Sequence, residues 1–498
     1  MSNKMIISVS AFAVALTLSS NCGAGLEWAT ATEKLPYYQQ MHGMSALTVN
    51  GSSYLYTMGG NSTNYPEKTA VHDIKAIFFS KVGADGQPGA WQVSSVVLNE
   101  PSSTPDSLNA YLERATFSAG DKIFIVGGDT NGSISGTNRY QTITVNENGE
   151  PTACTEYAIT GSYTYAYSDS VAFDSVNNRV YAMKRADGSV HVASVSNGTI
   201  GEFSMASVSG AANRAIAPAV VKNGYLYWFG GQNSAVYKST NIFTLGSDGM
   251  PTDVNTATAM FPNNLYDSVA FNYRGEMYVG GGCISGNADA QTAVYRAVFG
   301  DNGDITKWEK DSDLVKNARR IPCCVLGDYI YISGGRYNST LYDVVQVGKA
   351  HQVAPVTETI PDGQETAVSC ELPEGRNVAL QLTPTTGGTL KVDYRSGSEF
   401  VAAAAFKNPD DLYKESLVLT NTGMSGFSAS LAWQVDTTLL PAKEINTLFR
   451  VSNGEIVETF PVTKQENVYA ATGITGFSEW YLGNSAAVPV SLSGFELE

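Results

Sequence analysis

Several charged, imidazole and phenol side chains in the first 350 residues stand just ahead of short apolar stretches. They are His42, Glu113 with Arg114, Asp169, Arg214, Asp267, and Arg319 with Arg320. Tyr167 and Tyr266 precede the two aspartates. An Arg grips a carboxylate through two parallel N–H bonds. A ring of Arg, Asp and Tyr therefore suits a sugar or a carboxylate, and these residues are the candidate ligand-binding set. The competing reading is that Arg and Asp pair with each other and only satisfy one another's charge.

Other chemistries lack their residues. The four histidines, His42, His72, His191 and His351, are scattered, and none has a close Cys or His partner, so no metal site is expected. Asp301, Asn302, Gly303 and Asp304 resemble part of a calcium loop but lack its closing Glu, and read as an ordinary turn. No G-x-S-x-G elbow is present. No motif implies a cofactor. The formal net charge is −16, which argues against nucleic acid or an anionic membrane as the main partner.

Lys4, the apolar run Met5 to Leu18 and the small-residue stretch that follows have the three regions of a secretory signal, so residues 1–24 are read as a leader cleaved after Ala24. Cys22 matches a lipid-anchor signal poorly, because Ser19 and Asn21 stand at its Leu and small-residue places. The run is short for a membrane span, and none is expected in the mature chain. The expected location is periplasmic, secreted or cell-surface, and five cysteines remain after cleavage.

The chain of 498 residues is long enough for two or three folding units, with 48 Gly and 27 Tyr and few Leu-rich helical stretches. The composition reads as all-β. One pattern recurs: a turn, an aromatic and aliphatic strand, then paired Gly. Its copies are GSSYLYTMGG at 51–60, GDKIFIVGG at 120–128, NNRVYAMKR at 177–185, NGYLYWFGG at 223–231, RGEMYVGGG at 274–282 and GDYIYISGG at 327–335. Each is preceded by another alternating apolar stretch, expected to be an inner strand. The spacing suits a propeller blade of four strands with loop insertions.

This repeat resembles the kelch family over residues 26 to 350, with Trp91 and Trp308 at the family's outer Trp position and Lys184 and Arg185 replacing the glycines of the third copy. The resemblance implies a six-bladed β-propeller. Leu26, Glu27 and Trp28 are then expected to complete the last blade, near Val347. His42, Glu113, Arg114, Asp169, Arg214, Asp267, Arg319 and Arg320 are then expected at one mouth of the axial channel. Cys283 and Cys323 fall at strand ends on the same side of adjacent blades, which permits a disulfide between them.

After His351 the pattern changes. Residues 351–365 read as a linker, and 366–498 as a β-sandwich with strands spaced about ten residues apart. The end resembles the closing strands of sandwich modules in exported bacterial surface proteins, on Gly473 to Thr475, Phe477, Ser478, Trp480, Leu482, Gly483, Pro489, Val490, Leu492 and Phe495. In such proteins this strand often leads into a further module, so a chain cut short or without a sorting tail is expected.

The fold expected is all-β, a six-bladed kelch-like propeller followed by a β-sandwich. The function expected is binding of an extracellular glycan or surface protein at the channel mouth. One alternative follows from the resemblance, since exported six-bladed kelch proteins include enzymes that interconvert sialic acid anomers. Glu113 with Arg114, or Asp267 with Arg320, would then act as acid/base and carboxylate grip. The other alternative is a structural part of a cell-surface assembly.

Overall fold

The computed structural model describes residues 25–62, 72–73, 75–99, 115–127, 129–130, 133–136, 138–164, 170–208, 210–233, 235–285, 289–350, 356–372, 376–396, 406, 412–435, 440–441, 443–453 and 455–487. The expected leader lies outside them. The chain divides into two compact units, with Leu26–Ala350 forming one and the residues beyond forming the other. No helix among the described residues is long and apolar enough to cross a membrane.

The first unit holds six antiparallel sheets of four or five strands. Their first strands are Gly43–Val49, Ala115–Ala119, Ser170–Asp174, Ala219–Lys222, Val269–Tyr273 and Cys323–Leu326. The second strand of each carries the repeated motif. Ser52–Met58, Lys122–Val126, Arg179–Met183, Tyr225–Phe229, Glu276–Gly280 and Tyr329–Ser333 are almost wholly buried. They are covered on both faces by neighbouring sheets, which is why the motif is apolar throughout rather than strictly alternating. The first strands lie side by side in chain order, and the sixth returns to the first.

Leu26–Thr30 supplies the fourth strand of the sixth sheet, pairing antiparallel with Val345–Ala350 from Leu26 opposite Ala350 to Thr30 opposite Gln346. Its amide end is held by Asp311, which accepts from the Leu26 N–H at 2.7 Å. The two ends of the unit thus meet in one sheet, with Leu26–Thr30 as its outer strand. The third sheet, where the glycines are replaced, is built from the same first three strands. Its outer edge consists of two short strands, Thr199–Ile200 and Ser204–Met205.

The paired glycines have a steric cause. Gly335 has φ +88, and a Cβ there would lie 2.8 Å from the Arg319 carbonyl oxygen and 2.4 Å from the Ile321 side chain. Only glycine lets the segment that follows the second strand approach the segment that enters the first.

The second unit has a six-stranded and a five-stranded antiparallel sheet whose buried faces share one core around Trp433, Trp480, Leu380 and Leu417. The expected linker is shorter than the sequence suggested. Val356–Ile360 is already an edge strand, paired with Gly388–Ser396. Within this core Arg376 meets Glu415 in a two-pronged ion pair of 2.8 and 2.9 Å.

Candidate functional site

Among the described residues, four sheets enter their first strand through a residue with left-handed backbone. These are Met41, Ile216, Asp267 and Arg320, with φ of 56, 55, 56 and 59°. Side chains other than glycine rarely sit there, and the cost must be met by surrounding contacts. Those contacts are present. The Asp267 N–H donates to the Ile216 carbonyl, the Arg320 N–H to the Asp267 carbonyl and the Met41 N–H to the Arg320 carbonyl, each at 3.1 Å. A belt of backbone bonds therefore runs from the fourth sheet through the fifth and sixth to the first. Each preceding residue bridges to the segment after the paired glycines, as Gln40 to Asn61, Ala215 to Gln232, Tyr266 to Cys283 and Arg319 to Arg336.

This belt borders a cavity of about 200 Å³ to which all six sheets contribute. Its walls include Met41 and His42 from the first, Ala115 from the second and Ser170 from the third. Ile216 comes from the fourth, Asp267 and Ser268 from the fifth, and Arg320 from the sixth.

Asp267 is the buried charge of this wall, only 4% exposed. Its Oδ2 accepts from Arg319 Nη1 at 2.9 Å and lies 3.5 Å from Arg320 Nε. Among the described residues its Oδ1 has no hydrogen-bond partner. Burial pushes the Asp267 carboxyl above the usual carboxylate range, against the pull of Arg320, Arg319 and Arg336. The neighbouring Ser268 hydroxyl is likewise buried without a partner among the described residues. His42 is buried too, with Nε2 2.8 Å from the Ser333 hydroxyl and Nδ1 without a partner among the described residues. Burial lowers its pKa to about 3, so the imidazole is neutral at physiological pH.

Of the residues expected at the site, His42, Asp267 and Arg320 line the cavity together. Arg319 stands behind them, bonded to Asp267 and 3.8 Å from the Cys283 sulfur. Tyr266 is also behind the wall, hydrogen-bonded to the Cys283 thiol, and burial raises its phenol to about 12. Arg214 is not at the cavity. It turns into its own sheet, where its guanidinium donates to the Gly230 carbonyl at 2.8 Å, the Ser239 carbonyl and hydroxyl, and Asn241 Oδ1 at 2.9 Å. The reason is register. The cavity position in this sheet is Ile216, two residues further on. Glu113, Arg114, Tyr167 and Asp169 lie outside the described residues, although their neighbours Ala115 and Ser170 line the cavity.

The expected disulfide is not formed. Cys283 and Cys323 are both free thiols, Cys283 facing Arg319 and Tyr266, and Cys323 lying 3.7 Å from the Ala270 carbonyl. Met41, Ile216, Ser170 and Ser268 were not expected at the site. The shared feature of Met41 and Ile216 is a backbone angle, which their residue types do not announce. Among the described residues, no three His, Cys, Asp or Glu side chains gather as metal ligands. No protein-family model and no curated protein matches this sequence.

Proposed function

We propose that the six sheets form a six-bladed propeller of the kelch type, followed by a β-sandwich, on an exported chain. Its axial cavity binds a small polar ligand, and a sugar of one ring is the class that fits best. The observation that carries this reading is the Asp267 carboxylate. One oxygen is held by Arg319 and Arg320, and the other, Oδ1, stands on a cavity wall with no partner among the described residues. A buried acceptor left unsatisfied is costly, and a ligand hydroxyl relieves that cost. Ser268 and His42 add further unused polar atoms on the same wall. The volume of about 200 Å³ suits a single ring rather than a protein loop.

A second reading, a sugar-modifying enzyme of the mutarotase kind, is favoured by one specific feature. Asp267 combines a raised carboxyl with an adjacent Arg320, the pairing that acid–base chemistry at a ring oxygen needs. Titration calorimetry of the mature protein against neutral and acidic monosaccharides separates the outcomes, with Arg320→Ala in parallel. Saturable binding weakened at least tenfold in the variant supports the cavity site. Binding with unchanged affinity in the variant, or none in the wild type, overturns it. Turnover of a bound sugar, lost in Asp267→Asn, would favour the enzyme reading.

A further inference from the structure

The chain that leaves the second sheet passes through Thr160, Gly161 and Ser162 before it enters the third, and it is fastened there. The Ser162 N–H donates to the Phe203 carbonyl at 2.7 Å, and the Phe203 N–H donates to the Thr160 carbonyl at 3.0 Å. Gly161, with φ +91, lets these backbones approach, because a Cβ would lie 2.2 Å from the Phe203 carbonyl oxygen. The Ser162 hydroxyl is thereby held 2.9 Å from His191 Nδ1. His191 sits on the third strand of the third sheet, Val190–Ser196, opposite Ala182 and Met205. It is 2% exposed, and its ring packs against Tyr163 with centroids 5.3 Å apart. On the other side of the ring, Nε2 lies 3.0 Å from the Ser189 hydroxyl, which in turn lies 2.6 Å from Asp187 Oδ1. Ser162 and Asp187, at the two ends of this row, are exposed.

The protons of the row follow by elimination. Desolvation pushes the Asp187 carboxyl up, but the Ser189 hydroxyl and N–H, with Lys184 and His191, bring it below the ordinary carboxylate range. Asp187 is therefore ionised at neutral pH and can only accept, so the Ser189 hydroxyl donates to it. The Ser189 oxygen is left to accept, and His191 donates to it from Nε2. Burial, helped by Lys184 and opposed by Asp187, lowers the His191 pKa, so the ring is neutral and Nδ1 carries a lone pair. That lone pair accepts from Ser162. The opposite arrangement turns the Ser162 proton to the Phe203 carbonyl, 3.0 Å away, and leaves the Ser189 and Asp187 oxygens 2.6 Å apart with no proton between them. An exposed hydroxyl thus leans on a neutral imidazole whose far nitrogen is anchored to a carboxylate through Ser189. Such an arrangement activates a serine as a nucleophile.

We propose that Ser162 is a nucleophile that cleaves acyl esters, with His191 as its base. In the first step the Ser162 oxygen bonds to the acyl carbon and its proton passes to His191 Nδ1. The ester C–O bond breaks, and that proton goes to the departing alkoxide, which leaves as the alcohol. In the second step water adds to the acyl-serine, a water proton returns through His191 to the Ser162 oxygen, and the carboxylic acid departs. Ser189 and Asp187 are positioning residues, which fix the tautomer and face the imidazolium formed between the two transfers. An ester fits better than an amide, because an alkoxide departs more readily than an amide nitrogen. Strand register puts Val190 in one row with Met183 and Ser170, and His191 in the next. The relay therefore stands two strand spacings, about 10 Å, across the third sheet from the strand whose Ser170 lines the axial cavity. The proposal does not rest on the ligand of that cavity.

The test incubates the mature protein with p-nitrophenyl acetate and, separately, with a fluorophosphonate, and maps the modified peptide by mass spectrometry. Release of p-nitrophenol and a fluorophosphonate adduct on Ser162 are expected, both lost in Ser162→Ala. His191→Gln should slow the labelling at least a hundredfold. In the wild type the labelling rate should fall below pH 6.5, as the imidazole flanked by Lys184 and Asp187 takes up a proton. Asp187→Asn removes the carboxylate that favours the imidazolium, so it should move that fall to lower pH. Where His191→Gln fails to fold, Asp187→Asn, at an exposed position, tests the same relay through its pH profile. Four results overturn the proposal: no adduct on Ser162, an adduct without release of p-nitrophenol, labelling as fast in urea-unfolded protein, or labelling that neither variant alters.

Discussion

The Tyr331 hydroxyl donates to the Gly86 carbonyl at 2.8 Å, joining residues 245 positions apart. The same bond links Tyr56 to Gly149, Tyr181 to Gly249 and Tyr227 to Gly303. In each case a tyrosine of one sheet's second strand caps the outer turn of the next sheet. The Tyr331 bond runs from the sixth sheet to the first, so it ties the last repeat to the first one. A buried hydrogen bond of this kind is worth about 1 kcal/mol net. Tyr331→Phe should therefore lower the urea midpoint by a loss of about that size. Gly86→Ala should cost more, because Gly86 has φ +76 and a Cβ would lie 2.2 Å from the Tyr329 ring. A larger loss for Tyr331→Phe than for Gly86→Ala would contradict this account.

The strands of these sheets were legible because the motif is local. Tyr54 to Met58 and Tyr329 to Ser333 announce a strand by their own residues, and Asn50–Gly51 announces its turn. The pairing of Leu26 to Trp28 with the last repeat was also legible, since an outer strand stood without the rest of its copy. The site was legible only in part. Asp267 and Arg320 were found as charges ahead of a strand, but so was Arg214, and the sequence did not distinguish them. What separates them is whether the residue occupies the left-handed position of the belt, and Met, Ile, Asp and Arg all occupy it. Cys283 and Cys323 show the same limit from another side. Adjacent strand ends made a bridge permissible, while the side chains face different neighbours.

Removing the Asp267 carboxylate should expose the cost of the guanidiniums around it. Asp267→Ala removes the carboxylate to which Arg319, only 5% exposed, donates at 2.9 Å, and breaking a buried pair in this way costs about 3–5 kcal/mol. Asp267→Asn keeps the shape and one acceptor and should cost clearly less. Denaturant unfolding of both variants checks the order. Equal losses would mean that shape, not charge, holds the belt.

Stability should depend on pH through His42. The folded protein lowers its pKa from the ordinary 6.5 to about 3, so the unfolded chain binds the proton first as pH falls. The stability that rests on neutral His42 is fully present above pH 6.5 and is lost progressively between there and pH 3. The slope contributed by this one group is about 1.4 kcal/mol for each pH unit. His42→Gln should flatten the pH dependence by that amount, whatever it does to stability at neutral pH. An unchanged slope in the variant would assign the acid sensitivity to other groups.

The second unit carries a buried network that invites a sharper test. Glu415 is 1% exposed and accepts from Arg376 at 2.8 and 2.9 Å, from Tyr413 at 2.6 Å and from Tyr394. Every prong of the carboxylate is used, so the desolvation of both charges is met by geometry rather than by water. Deleting either charge alone strands the other, and Arg376→Met or Glu415→Leu should each cost about 3–5 kcal/mol. The double variant should recover much of that loss, because two apolar side chains replace two charges together. Hydrogen exchange at the core strands Asn377–Thr383 and Ser428–Gln434 reads this unit alone, apart from the unfolding of residues 26–350. Recovery in the double variant identifies the pair as mutually compensating, with its remaining deficit measuring the two tyrosine bonds left without their acceptor. Simple addition of the two single losses would instead show that each side chain acts through separate contacts.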